Sequence, residues 1–172
     1  YGLTMTNLIN GCTIYQSVTI DEDKSPPIIE NIVVDTLTCS NKSVQPKLLP
    51  DAGIIDFHWT GNGLNSTLKS PEIKQAGTYQ VVITSAQNYC TQSATFIVAE
   101  NVTVTEISII TDSITCFVDS VQLITTSNQE LFNIRWSGPG FNSTGIQSPF
   151  VHREGLYTLS AAGRNGCVST RQ

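Results

Sequence analysis

Five cysteines, at positions 12, 39, 90, 116 and 167, are the residues of this chain whose type and spacing most plainly promise chemistry. Cys39 and Cys116 are 77 residues apart, as are Cys90 and Cys167, and Cys12 precedes Cys90 by 78. Cysteines recurring at a fixed interval point to a disulfide framework formed in an oxidising compartment. Zinc would need close cysteine pairs or a neighbouring histidine, and neither accompanies these positions. The favoured pairing keeps each bridge inside one interval, joining Cys39 to Cys90 and Cys116 to Cys167, both 51 residues apart, and gives Cys12 a partner upstream. An alternative joins Cys12 to Cys39 and Cys90 to Cys116, at 27 and 26 residues. It stays open, because connectivity does not follow from spacing alone. Each bridge would stabilise by about 2–4 kcal/mol.

Other reactive groups are sparse. Asp21, Glu22 and Asp23 cluster where one segment meets the next, with Glu100-Asn101 in the corresponding place. Clustered carboxylates at a junction suit Ca²⁺, while a solvated acidic linker explains them more simply. The two histidines, His58 and His152, occupy unrelated places with no nucleophile or orienting acid at a meaningful spacing. A triad requires all three to converge, so no catalytic residue is expected. Asn-x-Ser/Thr sequons stand at Asn41, Asn65, Asn101 and Asn142. They would be glycan acceptors in a eukaryotic secreted protein and polar loop residues otherwise. The net charge of −5 argues against a nucleic-acid partner. No run of 18 apolar residues is present to span a membrane.

The elements that position these groups repeat with them. Trp59 and Trp136, the only tryptophans, are 77 apart. Thr38-Cys39 followed by Ser43-Val44-Gln45 recurs as Thr115-Cys116 followed by Ser120-Val121-Gln122. Trp59-Thr60-Gly61-Asn62-Gly63-Leu64-Asn65-Ser66-Thr67 recurs as Trp136-Ser137-Gly138-Pro139-Gly140-Phe141-Asn142-Ser143-Thr144. Ser70-Pro71 and Ser148-Pro149 match, as do Gly77-Thr78-Tyr79 and Gly155-Leu156-Tyr157. A fixed period of this size signals repeated units. The expected division is 1–23, the C-terminal part of a preceding repeat; 24–101, a complete repeat; and 102–172, a repeat lacking the end of its last strand. Within each, apolar and polar residues alternate, as in Ile55-Asp56-Phe57-His58-Trp59, which sets Ile55, Phe57 and Trp59 on one buried face. Tyr79, Val81 and Ile83 form a second such strand, followed by a turn at Gln87-Asn88. Pro46 stands where the other copy has Leu123, so the second strand is bulged or at an edge there. Short strands, a core Trp and a Gly-x-Tyr corner predict an all-β fold of tandem immunoglobulin-like sandwiches with a period of about 77 residues. Trp59, Trp136, Tyr79 and Tyr157 are the expected core.

The order Cys…Trp-Ser-Gly-Pro-Gly-Phe…Ser-Pro…Gly-x-Tyr…Asn-Gly-Cys resembles the PKD-like and immunoglobulin-like repeats of Bacteroidota surface proteins, the adhesin and surface-filament type. The resemblance covers nearly the whole chain and implies seven-stranded sandwiches in an extracellular stalk, with no catalytic residues to carry over. Asn62 replaces Pro139 in the turn of the earlier copy. Asp35-Thr36-Leu37, Asp112-Ser113-Ile114 and Asp119-Ser120-Val121 are similar to the O-glycosylation acceptor of Bacteroidota, which makes Thr36, Ser113 and Ser120 candidate glycan sites; turn and strand residues would read the same way. The expected role is structural, on the cell surface or in an extracellular filament, with neighbouring repeats and other copies as partners and no cofactor beyond Ca²⁺ at the linkers. The competing expectation is a set of carbohydrate-binding modules, appended to a secreted enzyme, that hold surface glycans. Such modules usually align exposed aromatics, whereas Phe141, Phe150, Tyr89 and Tyr15 are scattered.

Overall fold

A computed structural model describes residues 1–49 and 53–172, and among them every regular element is a β-strand. β1 (Gly2–Thr6) and β2 (Thr13–Ser17) make an antiparallel hairpin whose residues are all exposed. A first set follows: β3 (Asn31–Val33), β4 (Leu37–Thr38), β5 (Lys47–Leu49), β6 (Ile54–Gly61), β7 (Leu64–Ser66), β8 (Gly77–Ser85), β9 (Thr91–Val98) and β10 (Glu100–Asn101). The second set is β11 (Ile107–Ile110), β12 (Val121–Gln122), β13 (Ile124–Ser127), β14 (Phe132–Gly138), β15 (Phe141–Thr144), β16 (Phe150–Val151), β17 (Thr158–Ala162) and β18 (Val168–Arg171).

Each set contains one four-stranded antiparallel sheet, in the order β7-β6-β8-β9 and β15-β14-β17-β18. Short ladders accompany it: β3 with β5 and a bridge between Val44 and Ile73 in the first, β11 with β13 and β12 with β16 in the second. Leu48 and Ile32 from the short ladder pack on Phe57, Trp59, Val81 and Ile83 from the large sheet, so apolar faces of two layers meet, as in a β-sandwich. The second set has its own core of Ile107, Leu123, Ile134, Trp136 and Leu159.

The strand around Pro46 is interrupted at its proline. Val44 bridges Ile73, and pairing resumes with β3 only at Lys47. The break recurs at Leu123, between β12 and β13, although Leu123 has an N–H and donates it to Pro149 O at 2.9 Å. A single chain segment thereby joins two ladders, the proline being one way to make the break and not its cause.

One expected burial is corrected. Ile55 is 46 % exposed, while Phe57 and Trp59 are buried. The register against β8 slips between Ile54 and Asp56, and this bulge turns Ile55 outward while Ile54 packs on the core. The matching slip between Phe132 and Arg135, with Asn133 at φ 52°, exposes Phe132 and leaves Leu131 against the core.

The three hairpins share a register. Gly2 faces Ser17 as Gln80 faces Thr95, 78 positions further on. Thr6 faces Thr13, Thr84 faces Thr91 and Ala162 faces Val168. The burial differs: Tyr79, Val81 and Ile83 are at most 2 % exposed, whereas Tyr1, just before β1, and Leu3 and Met5 on it are 87, 58 and 52 % exposed.

Candidate functional site

The one disulfide among the described residues joins Cys39 to Cys167, 128 positions apart, with Cα atoms 4.9 Å from each other. It links the two sets of strands. Cys12, Cys90 and Cys116 are free. The expected pairing of Cys39 with Cys90 and of Cys116 with Cys167 is therefore corrected, and so is the alternative through Cys12. Cys39 follows β4, and Leu37 on β4 packs with Tyr79 and Val98, at one end of the β8–β9 hairpin. Cys90 lies at the hairpin's other end, in the turn before β9. The eight residues of β9 separate those ends by roughly 25 Å. Bridged cysteines need Cα atoms within about 7 Å. The Gln87-Asn88 turn signal already placed Cys90 at the hairpin tip, and Asn165-Gly166 places Cys167 likewise.

Backbone pairing brings Cys39 and Cys167 together. β10, which leads into the second set, runs parallel beside β4, matching Glu100 with Leu37 and Asn101 with Thr38. The turn before Cys167 then sits on the turn that carries Cys39. Ser40 N donates to Asn165 O at 3.3 Å, and Ser40 Oγ donates to the same carbonyl. The Asn165 amide donates to Thr103 O at 2.8 Å and to Asn101 O at 3.2 Å, fixing the connecting segment. Its Oδ1 accepts from Cys167 N at 3.1 Å, which orients the cysteine. Gly166 has φ 76°, and a Cβ there would lie 2.6 Å from the Cβ of Ser40, so close approach and left-handed backbone both favour glycine. The sequence offered Asn165 and Gly166 only as part of the Asn-Gly-Cys motif, with no contact assigned to them, and did not mark Ser40. The signal for the turn was the Asn-x-Cys triplet, present at Asn10, Asn88 and Asn165.

The core aromatics are anchored by polar ends. Trp59 and Trp136 are 0 and 2 % exposed, and their indole N–H groups donate to Leu68 O at 2.8 Å and Ile146 O at 3.1 Å. Tyr79 and Tyr157 donate their hydroxyls to Gln75 O and Arg153 O, four residues upstream in each case. That is the geometry of a tyrosine corner.

The remaining candidates stand apart from the junction or do not converge. Asp21, Glu22 and Asp23 are exposed, and among the described residues no group of three or more carboxylate, histidine or cysteine side chains gathers to hold a metal. Glu22 pairs with Lys24, and Asp23 accepts from Ser25 N at 2.9 Å, a hydrogen bond that holds its carboxyl below the usual range. Glu22 and Asp23 thus have local partners of their own. Thr36 and Ser113 are exposed on irregular segments before the cysteine turns, and Ser120 is half-buried. Asn65 and Asn142 are exposed on β7 and β15, Asn101 faces Asn165 on β10, and Asn41 lies in the Cys39 turn. His58 is exposed on β6, and exposed His152 contacts Asp119 O. Among the described residues no helix is long and apolar enough to cross a membrane. No protein-family model matches the chain, and no curated protein matches it either.

Proposed function

We propose that this chain is a structural segment of a long secreted or cell-surface stalk, adhesin or extracellular filament, built of tandem immunoglobulin-like, PKD-like sandwiches. Its work is mechanical: reach, stiffness and resistance to proteolysis, with no catalysis. The observation that carries this reading is the Cys39–Cys167 bridge, which ties one set of strands to the next across their junction. A bridge inside one domain would stabilise that domain alone; a bridge between two limits their relative motion. The disulfide also suits an oxidising, extracellular compartment.

The 77-residue recurrence supports stacked units along one axis, the quasi-one-dimensional arrangement of repeat proteins. The β1–β2 hairpin fits as two strands of another such unit: its Tyr1, Leu3 and Met5 face solvent where Tyr79, Val81 and Ile83 face a core. A lone hairpin is marginal in water, so this face calls for the remaining strands of its own sandwich. Thr36 and Ser113 are accessible enough to carry O-glycans, which peptide mass spectrometry of the secreted protein detects as sugar-bearing fragments. Among the described residues no carboxylates gather to hold calcium, so adding Ca²⁺ or a chelator is expected to leave the thermal midpoint unchanged.

Electron microscopy of the secreted protein tests the main reading. Evenly spaced beads along an unbranched rod are expected; a compact particle would end it. A glycan array run on the same material separates the competing reading, since saturable sugar binding by each unit would make the chain a carbohydrate-binding array.

A further inference from the structure

Both halves of the observed bridge recur unpaired in this molecule, the Thr-Cys half at Cys116 and the Asn-x-Cys half at Cys90 and Cys12. The half around Cys39 is a Thr-Cys turn: Thr38 N donates to Asn41 O at 2.9 Å, and Asn41 N to Thr38 Oγ1 at 2.9 Å. Cys116 sits in the same turn, with Thr115 N donating to Val118 O at 2.9 Å and Val118 N to Thr115 Oγ1 at 3.1 Å. The half around Cys167 is an Asn-x-Cys turn with the middle residue at positive φ. Cys90 has it too: Asn88 Oδ1 accepts from Cys90 N at 3.0 Å, and Tyr89 has φ 59°. The Asn88 amide also reaches Ser25 O at 2.9 Å, on the segment entering the first set, as Asn165 reaches the segment entering the second.

The surroundings of Cys116 differ from those of Cys39 at the matching positions. Val98 completes the cluster of Leu37, Val44, Ile73 and Tyr79 in the first set. In the second, the matching residues Ile114, Val121, Val151 and Tyr157 line an open cleft of about 410 Å³. Leu37–Thr38 is paired to β10, while Ile114 and Thr115 belong to no strand. Ser40 lies against Asn165, while Phe117 in its place is wholly exposed. In the first set, β9, β10 and Cys167 supply a terminal apolar residue, a short parallel strand and an Asn-x-Cys turn to the Cys39 half.

We propose that Cys116 and Cys90 are half-sites of the same inter-repeat disulfide, each bridged to a further repeat of this kind in the same polypeptide. Cys116 receives the Asn-x-Cys turn of the repeat that follows it, and Cys90 receives the Thr-Cys turn of the repeat before it. The first cysteine of every repeat is then joined to the second cysteine of the next, making a continuous covalent seam. Cys90 of one copy and Cys116 of another fit the junction poorly: Tyr89 has a Cβ where Gly166 has none, and Phe117 is larger than Ser40. Each bridge joins two sulfurs, releases two protons and passes two electrons to a disulfide oxidant, a protein thiol oxidase or glutathione disulfide, which leaves as two thiols.

The inference rests on the tandem-repeat reading, and disulfide mapping distinguishes the two. The full secreted polypeptide is alkylated without reductant, digested, and its linked peptides identified by mass spectrometry. Expected are Cys39 with Cys167, Cys116 with an Asn-x-Cys cysteine downstream, Cys90 with a Thr-Cys cysteine upstream, and a single-chain mass under non-reducing denaturation. Alkylated Cys90 and Cys116 beside an intact Cys39–Cys167 bridge would overturn the inference and leave the repeat reading standing. Links of Cys39 to Cys90 or of Cys116 to Cys167 would overturn the seam itself. Multimers released only by reduction would overturn the single-polypeptide assignment. A polypeptide without further repeats would remove both readings.

Discussion

Tyr79 and Tyr157 bury their rings in the core while their hydroxyls close hydrogen bonds of 2.8 and 2.9 Å with carbonyls four residues upstream. Each bond is partly shielded from water, so the hydroxyl matters beyond the ring. Tyr79→Phe or Tyr157→Phe is expected to lower unfolding free energy by about 1 kcal/mol, measured by urea denaturation. No loss at either position would show that the corner hydrogen bond has no net worth. Trp59 was legible from its type and its place in an alternating strand, and it is fully buried, stacked on Phe57 and met edge-on by Phe96. The role of Asn165 was not legible, because a polar residue in a hairpin turn has many reasons to be there and its partners lie more than 60 positions away.

At the scale of the strand, β6 shows where alternation misleads. Ile55, Phe57 and Trp59 follow a strict two-residue period, which would place all three on one face. The bulge between Ile54 and Asp56 breaks that period, and a bulge has no signature in the pattern of apolar residues. The two sites should therefore respond differently to substitution. Ile55→Thr is expected to change stability by no more than about 0.5 kcal/mol, as for an exposed site. Phe57→Ala is expected to cost about 3–5 kcal/mol through the cavity it leaves. Equal losses in chemical denaturation would place the bulge elsewhere. Hairpin ends were legible, since Gln87-Asn88 marked the β8–β9 turn; what that implied for disulfide reach followed only once the length of β9 stood between Cys39 and Cys90.

For the whole molecule, the bridge acts on arrangement more than on either core. The first set buries Trp59, Val81 and Ile83, the second buries Trp136 and Leu159, and the connecting residues 102–106 form no strand. That segment is held by Asn165 and by Ser169, whose hydroxyl donates to Thr105 O at 2.6 Å. Opening the disulfide removes the covalent restraint and leaves these hydrogen bonds, worth roughly 1 kcal/mol each. Chain entropy alone would assign a loop of this length almost 5 kcal/mol, but that figure applies to a loop closed within one cooperative unit. With two cores, the constraint falls on the orientation of one against the other. Replacing Cys39 and Cys167 together by serine is therefore expected to leave both cores folded, to speed proteolytic cleavage within 102–106, and to broaden the distance distribution in small-angle scattering. Cooperative loss of both cores in the double variant would instead make the bridge part of a single folding unit.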